Sequence, residues 1–295
     1  MTGTRVFVTG AAGLLAGEIL RTFAGRIVAA HTRASLDVTD PDAVARAVAT
    51  ASPDAIINCA AFNDVDGAET RPQEALAVNA LAVRNLAHAA ERAGAVLVHY
   101  STDFVFDGEA TEPYREEARP SPRSVYAVSK LLGEWFALDA PQAYVLRVES
   151  LFGAPRWANV RRGTIDTIVA GLEAGREVRV FTDRVVSPSH VGDIAAATRH
   201  LVDGGAAFGL YHCVNDGWAT WHEVALAAAE VLGVEPRLVP TTMDQVSLKA
   251  ARPRYCALSP AKLAAAGFAM PGWREALARW IVNRDAVSPE NERVS

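Results

Sequence analysis

Tyr126 and Lys130 are the residues whose types and spacing most directly suggest chemistry. Four residues apart on a helix, a phenol and an ammonium share one face. A phenol with a pKa near ~10 exchanges protons poorly at neutral pH. An ammonium about 4 Å away in a partly desolvated site would stabilise the phenolate by roughly 4 kcal/mol at an effective dielectric of ~20, or ~3 pKa units. The spacing therefore predicts an acid–base pair, and a hydroxyl of the preceding Ser101 or Thr102 would hold a substrate oxygen beside it.

A glycine turn near the start of the chain supports this interpretation over accidental spacing. A β-branched and aromatic run from Arg5 to Thr9 is followed by Gly10-Ala-Ala-Gly13 and then by apolar residues at every fourth position from Leu15 to Phe23. In a strand–turn–helix unit of this kind, Gly10 would permit the tight turn and Gly13 the close approach of a dinucleotide pyrophosphate to the helix N-terminus. The third small residue is Ala16 rather than Gly, so an ordinary strand–helix turn is the alternative.

The second strand suggests which nicotinamide cofactor would bind. It spans residues 26–30 and is followed by His31-Thr-Arg33, with no acidic residue at its end to accept the ribose 2′-hydroxyl of NAD. Arg33 is suited to a 2′-phosphate through charge-assisted hydrogen bonds. The sequence thus predicts NADPH as the preferred cofactor, with NADH still usable; the alternative is that Arg33 is a solvated loop residue.

Strand-like and helix-like segments alternate along the first half of the chain, as in βαβ units. Strands are expected at 54–60, 95–100 and 143–148, and a helix at 72–93 ends at Gly94. Asp40-Pro41 opens another helix, and Thr220 with Glu223 forms a capping box further on. We expect an α/β fold: a doubly wound, parallel, Rossmann-type sheet with a smaller α/β C-terminal substrate domain. Ser101 and Thr102 would then lie at the carboxyl end of a strand, where such sheets bind ligands.

Composition excludes several classes of partner. The net charge of −5 without a basic run argues against nucleic acid, and no apolar run approaches the ~20 residues of a membrane span. The N-terminal residues show no secretion signal, so a cytoplasmic location is expected. Cys59, Cys213 and Cys256 are odd in number and far apart, and Cys59 and Cys213, in strand-like runs, are interpreted as reduced core thiols. No metal site is expected, because neither His190 with Asp193 nor His222 with Glu223 has a clustered third ligand.

Several motifs together resemble the dTDP-4-dehydrorhamnose reductases, which are extended short-chain dehydrogenase/reductases. The similarity covers nearly the whole chain. The motifs that carry it are His99-Tyr-Ser-Thr-Asp-Phe-Val-Phe-Asp-Gly108, Pro113-Tyr114 with Glu116, Tyr126-Ala-Val-Ser-Lys130, Asn58-Cys-Ala-Ala-Phe62, Val78-Asn79, Ser187-Pro-Ser-His-Val-Gly-Asp193, Gly209-Leu-Tyr-His212, Arg252-Pro253 and Pro271-Gly-Trp-Arg-Glu-Ala-Leu277.

The resemblance implies reduction, by NADPH or NADH, of the C4 ketone of a nucleotide-linked 4-keto-6-deoxysugar. It implies that Tyr126 is the proton donor, that Thr102 assists it, and that Lys130 binds the nicotinamide ribose and lowers the tyrosine pKa. The residues expected at the cofactor are Gly10, Gly13, Leu14, Leu15, Arg33, Asp37, Val38, Ala60, Ala61, Phe62, Asn79, Tyr126 and Lys130. Those expected at the substrate are Thr102, Asp103, Phe104, Ser150 and Arg252.

Two domains are implied as well. The dinucleotide-binding domain would comprise residues 1–146 and roughly 187–215. The discontinuous substrate domain would comprise roughly 147–186 and 216–285, followed by a tail at 286–295. Related reductases are often dimers, so a homodimer agrees with the resemblance.

One departure from the family pattern leaves the substrate open. The family reads Arg-Thr-Ser-Trp-Val-Tyr after the sixth strand, and its Trp contacts the sugar. Here the chain reads Arg147-Val-Glu-Ser-Leu-Phe152, with Ser150 at the Trp position and Glu149 before it. The sugar, the nucleotide and the product stereochemistry therefore stay open. Two alternative functions also stay open: a nucleotide-sugar epimerase or dehydratase that retains NAD⁺, and a catalytically silent regulatory subunit like that of methionine adenosyltransferase.

Overall fold

The computed structural model describes residues 3–155 and 163–284, and the expected tail at 286–295 lies outside the described residues. The strands are β1 (Val6–Thr9), β2 (Ile27–His31), β3 (Ala55–Asn58), β4 (Val96–Thr102), β5 (Ala143–Val148), β6 (Leu151–Phe152), β7 (Val178–Phe181), β8 (Val185–Val186), β9 (Ser189–His190), β10 (Gly209–His212), β11 (Ala219–Thr220) and β12 (Leu238–Thr241). The helices are α1 (Leu14–Thr22), α2 (Pro41–Ala51), α3 (Val65–Thr70), α4 (Pro72–Leu76), α5 (Ala82–Ala93), α6 (Val125–Leu138), α7 (Thr164–Glu173), α8 (Val191–Gly204), α9 (Trp221–Leu232), α10 (Ala261–Ala265) and α11 (Trp273–Asn283).

Six of the described strands form a central parallel sheet in the order β10-β5-β4-β3-β1-β2. Alternate residues of each strand face opposite sides, so Val6 and Val8 pack against α1 and α8, whereas Phe7 packs against α2 and α5. Both faces are buried, as is usual for a parallel sheet. The expected doubly wound α/β sheet is confirmed.

Local signals explain several helix boundaries. Asp40 accepts hydrogen bonds from the backbone N–H groups of Asp42 and Ala43, and Pro41 occupies the first turn of α2. The expected single helix at 72–93 is instead three segments, because a π-helical turn, Ala77–Leu81, separates α4 from α5. Gly94 ends α5 with φ 64°.

A smaller second core lies outside the sheet. Helices α7, α9 and α11 contribute residues such as Ile168, Val224 and Leu277 to this core, which includes Val180 of the parallel pair β7–β12. The capping box is present at α9, where Thr220 and Glu223 bond each other's backbone N–H. Leu263 and Met270 pack with the core of the main sheet, although the segment that contains them was assigned from the sequence to the substrate domain. All three cysteines are free, and no helix within the described ranges is long and apolar enough to cross a membrane.

Candidate active site

Two adjoining cavities open at the carboxyl ends of β1, β3 and β4. The inner cavity, of about 310 Å³, is lined by residues that include Gly13–Ala16, Asn58–Ala61, Tyr100–Phe104, Tyr126, Lys130 and Val148–Leu151. The outer cavity, of about 480 Å³, is lined by residues that include Gly10, Gly13, Thr32, Arg33, Leu36–Thr39, Cys59–Asn63 and Val78. Because they share Gly13 and the end of β3, the two cavities form one cleft in the position expected for a ligand on an open parallel sheet.

The glycine turn forms one wall of this cleft. Gly10 has φ +65°, and a Cβ there would lie 2.5 Å from the backbone nitrogen of Ala60. Gly13 is the N-cap of α1 and supplies no side-chain cap, so the first backbone N–H groups of that helix lack intrahelical partners. Such N–H groups at a helix N-terminus suit a pyrophosphate. Gly13, Leu14 and Leu15 all line the inner cavity, so this wall fits the phosphates of a dinucleotide.

The outer cavity contains the residues expected to choose the cofactor. The side chain of Arg33 is 92% exposed, and its Nη2 lies 3.5 Å from a carboxylate oxygen of Glu74. Asp37 accepts hydrogen bonds from the Thr39 hydroxyl and backbone N–H, and these bonds lower the pKa of Asp37. Arg33 lowers it further. Arg33 is therefore an exposed cation at the rim with a long contact to Glu74, and Asp37 is an anion held by Thr39.

Asn79 was expected at the cofactor, but the structure places it behind the cleft wall. Its Oδ1 accepts the backbone N–H of Phe62 at 2.8 Å, and its Nδ2 donates to the Phe62 carbonyl and to Ser129 Oγ. It lies in the π-helical turn and is 1% exposed. Asn79 thus fixes the segment Ala60–Phe62, which does line the cleft, and ties it to α6. An unusual helical turn at this point is common beside functional sites.

Tyr126, Thr102 and Lys130 meet in the inner cavity. Ser124 caps α6, and Glu69 accepts the backbone N–H of Val125 at 2.9 Å, so the start of the helix that carries Tyr126 is fixed from two sides. Phe104 packs edge-on against the Tyr126 ring with centroids 5.6 Å apart. The expected face of α6 is therefore turned toward the end of β4.

The electrostatics of Tyr126 differ from the sequence expectation. We expected Lys130 to lower the tyrosine pKa, but burial raises it above its usual value and the Asp103 carboxylate adds to the increase, whereas the Thr102 hydroxyl opposes it. The Lys130 ammonium instead donates to the carbonyl of Tyr100 at 2.6 Å. Burial lowers the pKa of Lys130 to about 8. The phenol accordingly holds its proton at neutral pH.

A buried ion pair supports the floor of the inner cavity. Arg147 donates to both carboxylate oxygens of Glu134 at 2.8 and 2.7 Å, and Ser101 donates to the same carboxylate at 2.5 Å. Glu134 follows Lys130 by one helical turn, and its charge raises the Lys130 pKa against the effect of burial. Ser101 is thereby committed to structure, which leaves Thr102 as the hydroxyl beside Tyr126.

The expected substrate residues divide into two groups. Asp103, Phe104 and Ser150 line the inner cavity with Tyr126, and Ser150 has φ 45°, a rare conformation for a residue with a side chain. Arg252 does not join them: its guanidinium donates to both oxygens of Asp66, at 3.0 and 2.8 Å. Asp66 in turn accepts the backbone N–H of Ala250, so Arg252 joins the 250–252 segment to α3.

Sequence reasoning missed one residue of this cleft, Glu149, and a buried cation that acts on it, Arg184. Glu149 is 3% exposed, lines the inner cavity and accepts the Ser187 backbone N–H at 2.8 Å. The Arg184 guanidinium lies 5.4 Å from the Phe104 ring centroid. Glu149 was noticed only as a departure from a motif, and nothing in the spacing of Arg184 signals its place.

Asp103, Glu149 and Cys256 are the described residues that come nearest to a metal-ligand set, with candidate atoms within 4.8 Å of one another. Arg184 places a positive charge beside them, and burial raises the pKa of the Cys256 thiol. Both effects oppose cation binding, so the absence of a metal site stays a prediction. Glu223 is engaged in capping α9, which also counts against a metal site at His222 and Glu223.

A family profile and several known proteins match this chain over nearly its whole length. The sequence profile of the family described as "RmlD substrate binding domain" matches residues 4–285. The chain is 33% identical to the spore coat polysaccharide biosynthesis protein SpsK of Bacillus subtilis, over 96% of this chain and 99% of that protein. It is 39% identical to a dTDP-4-dehydrorhamnose reductase of Mycolicibacterium smegmatis, over 92% of this chain and 84% of the relative.

A solved structure shares the fold closely. The dTDP-4-dehydrorhamnose reductase of Bacillus anthracis, crystallised in complex with NADP, superposes with a TM-score of 0.88 at 30% identity, over 95% of this chain and 99% of that one.

Proposed function

The chain belongs to the dTDP-4-dehydrorhamnose reductase family of oxidoreductases, and we propose that it uses NAD(P)H to reduce the C4 ketone of a nucleotide-linked 4-keto-6-deoxysugar. The observation that carries this proposal is the position of Tyr126, Thr102 and Lys130 in one cavity that is continuous with the glycine turn. This arrangement would bring a proton donor and a hydride donor to the same carbonyl.

Tyr126 would protonate the developing alkoxide. When bound, the reduced nicotinamide supplies the hydride. Because burial and Asp103 raise the pKa of Tyr126, the phenol is protonated at neutral pH, which is the state that ketone reduction requires. The Thr102 hydroxyl would stabilise the charge that develops on the substrate oxygen. Lys130, which stays mostly protonated at pH 7 with a pKa of about 8, would hold the nicotinamide ribose.

The remainder of the cleft would bind the cofactor, with NADPH preferred over NADH. The uncapped first turn of α1 would take the pyrophosphate, and Asp37 with Val38 would contact the adenosine. Arg33 would pair with the 2′-phosphate. Its exposed side chain has only a long contact to Glu74 to give up, so the pairing is sterically free.

The division into two domains follows from the same arrangement. Residues 1–146 and about 187–215 would form the dinucleotide-binding domain, because β10 pairs with β5 in the main sheet. Residues of about 147–186 and 216–285 would supply the substrate side. The packing of Leu263 and Met270 on the main core would make the 261–270 segment a fixed link between the two.

We also propose a homodimer, formed through the outer face of α6. Val128, Trp135 and Leu138 on this helix are 41%, 56% and 41% exposed, and Leu81 on the adjoining π-helical turn is 54% exposed. Large exposed apolar side chains on two helical segments that contact each other suit an interaction surface. Light scattering should give the mass of two chains, and Trp135→Glu should give the mass of one. A monomeric wild-type protein at micromolar concentration would rule the interface out.

The direct test of function is a substrate panel. NADPH oxidation should require a dTDP-4-keto-6-deoxysugar, with the reduced sugar identified by mass spectrometry. Stoichiometric NAD⁺ in the purified protein, together with sugar conversion in the absence of added reductant, would favour an epimerase or dehydratase instead. An altered rate of a co-purifying enzyme, with no turnover by this chain, would indicate a regulatory subunit.

A further inference from the structure

Two buried carboxyl groups lie side by side on the inner cavity wall; Asp103 raises the Tyr126 pKa, and Glu149 has no role in the reduction described above. Asp103 and Glu149 are each 3% exposed, and their candidate ligand oxygens lie within 4.8 Å of each other. Among the described residues, Asp103 Oδ2 and Glu149 Oε1 have no hydrogen-bond partner. Unpartnered polar atoms in so buried a place are costly, so their retention beside a reacting centre calls for a chemical use.

The surrounding charges do not allow both groups to ionise easily. The titratable groups that face them from neighbouring elements of the described chain are Arg184, Tyr126, Tyr255 and Cys256. Of these only Arg184 is a cation. Burial raises the pKa of Glu149 well above its ordinary value, and the charge of Asp103 raises it further. Two close carboxyl groups beside one cation titrate as a pair, and their mutual repulsion favours the state that holds one proton between them.

One hydrogen bond joins this pair to the residue beside the phenol. Thr102 Oγ1 donates to Asp103 Oδ1 at 2.8 Å, and Thr102 lines the inner cavity together with Tyr126. The remaining oxygen of Glu149 is fixed by the Ser187 backbone N–H at 2.8 Å. Glu149, Asp103, Thr102 and Tyr126 thus line one cavity, with Asp103 between Glu149 and Thr102 by its contacts.

We propose that Asp103 and Glu149 share one proton and supply it to Tyr126 through the Thr102 hydroxyl during ketone reduction. This rests on the proposed function. A hydride with its electron pair passes from the bound nicotinamide to the carbonyl carbon, and the alkoxide oxygen takes the phenolic proton. The tyrosinate takes a proton from Thr102, which takes one from the carboxyl pair, and the pair is recharged from solvent after turnover. Glu149 thus acts through Tyr126 and does not touch the substrate carbonyl.

Glu149→Gln tests the relay, because glutamine keeps the shape and hydrogen-bonding capacity but cannot supply the proton. The variant should lower kcat by about tenfold or more and leave the KM for the sugar nucleotide within about twofold. It should also lose the alkaline fall of kcat that the relay predicts for the wild type. Glu116→Gln is the matched control, since Glu116 is a half-buried glutamate that also accepts a backbone N–H, from His212 at 2.8 Å, but lines neither cavity.

A raised KM with unchanged kcat would show that Glu149 binds the sugar and would overturn the relay. Unchanged kinetics in the variant would also overturn it, while leaving the reductase function intact. No turnover by the wild type on any keto sugar would end both proposals.

A second measurement does not need the variant to fold or turn over. Infrared spectra of the wild-type protein with ¹³C-labelled glutamate should show a protonated carboxyl band at neutral pH that shifts on labelling. Its absence at neutral pH would overturn the shared proton directly.

Discussion

Gly10→Ala should weaken both folding and cofactor binding, for reasons that can be separated. The φ of +65° costs a residue with a side chain about 1–2 kcal/mol. The new Cβ would also lie 2.5 Å from the backbone nitrogen of Ala60 and 2.6 Å from the carbonyl carbon of Cys59. These are backbone atoms directly after β3, and they cannot rotate away as a side chain can. Overpacking of this kind costs about 1–3 kcal/mol. The sum is roughly 2–5 kcal/mol.

Gly25→Ala is the matched control. Gly25 has φ +79°, but a Cβ there would meet nothing within 4 Å in the described structure. It should lose only the conformational part, about 1–2 kcal/mol. The difference between the two variants in urea unfolding then isolates the clash with the end of β3.

The Kd for NADPH is the second quantity that Gly10→Ala should change. Because the clash must displace the turn that faces the pyrophosphate, Gly10→Ala should raise the Kd for NADPH at least about tenfold, or about 1.4 kcal/mol. Gly25→Ala should leave it unchanged. A Gly10→Ala protein that bound NADPH within about twofold of wild type, measured by fluorescence titration, would refute the assignment of this turn.

Three further predictions concern the cleft. Tyr126→Phe should keep cofactor binding and lower turnover ~10²–10⁴-fold, whereas Lys130→Ala should impair both cofactor binding and turnover. A Tyr126→Phe rate above about a tenth of wild type would contradict the assignment of Tyr126 as the proton donor. Arg33→Ala should raise the KM for NADPH and leave that for NADH almost unchanged, and an equal effect on both would exclude the 2′-phosphate contact. Burial lowers the pKa of Lys130 to about 8, so the folded protein releases this proton before the unfolded chain does. Above about pH 8 the free energy of unfolding of the wild type should therefore rise relative to that of Lys130→Met, by at most about 1.4 kcal/mol per pH unit. Parallel pH profiles of the two proteins in urea unfolding would contradict the lowered Lys130 pKa.

Most of the fold could be predicted from the sequence, because strands, turns and helix caps are set by residues that are close together in the chain. Strand–turn–helix alternation, the Asp40 and Thr220 caps and Gly94 were each confirmed at their positions. The π-helical turn at Ala77–Leu81 was not foreseen, because the 72–93 sequence reads as one continuous Ala- and Leu-rich helix. The tertiary hydrogen bonds of Asn79 to Phe62 and Ser129 occur at this turn.

The candidate site was predictable in composition but less so in electrostatics. Spacing brought Tyr126 and Lys130 to one cavity, but burial and the neighbouring Asp103 decide the direction of the tyrosine pKa. Arg252, which we expected at the substrate, is paired with Asp66, a partner 186 residues away in sequence. Likewise, Glu149 and Arg184 could not be assigned to the site from the sequence, because only folding places their charges near Asp103. Long-range pairings of this kind leave no periodic signal.

The most direct measurement is NADPH oxidation by the purified protein in the presence of a dTDP-4-keto-6-deoxysugar, with deuterated NADPH and mass analysis of the product. We expect sugar-dependent oxidation and deuterium on the former carbonyl carbon, both abolished in Tyr126→Phe. Tight NADPH binding with no deuterium transfer to any keto sugar in the panel would contradict the central claim.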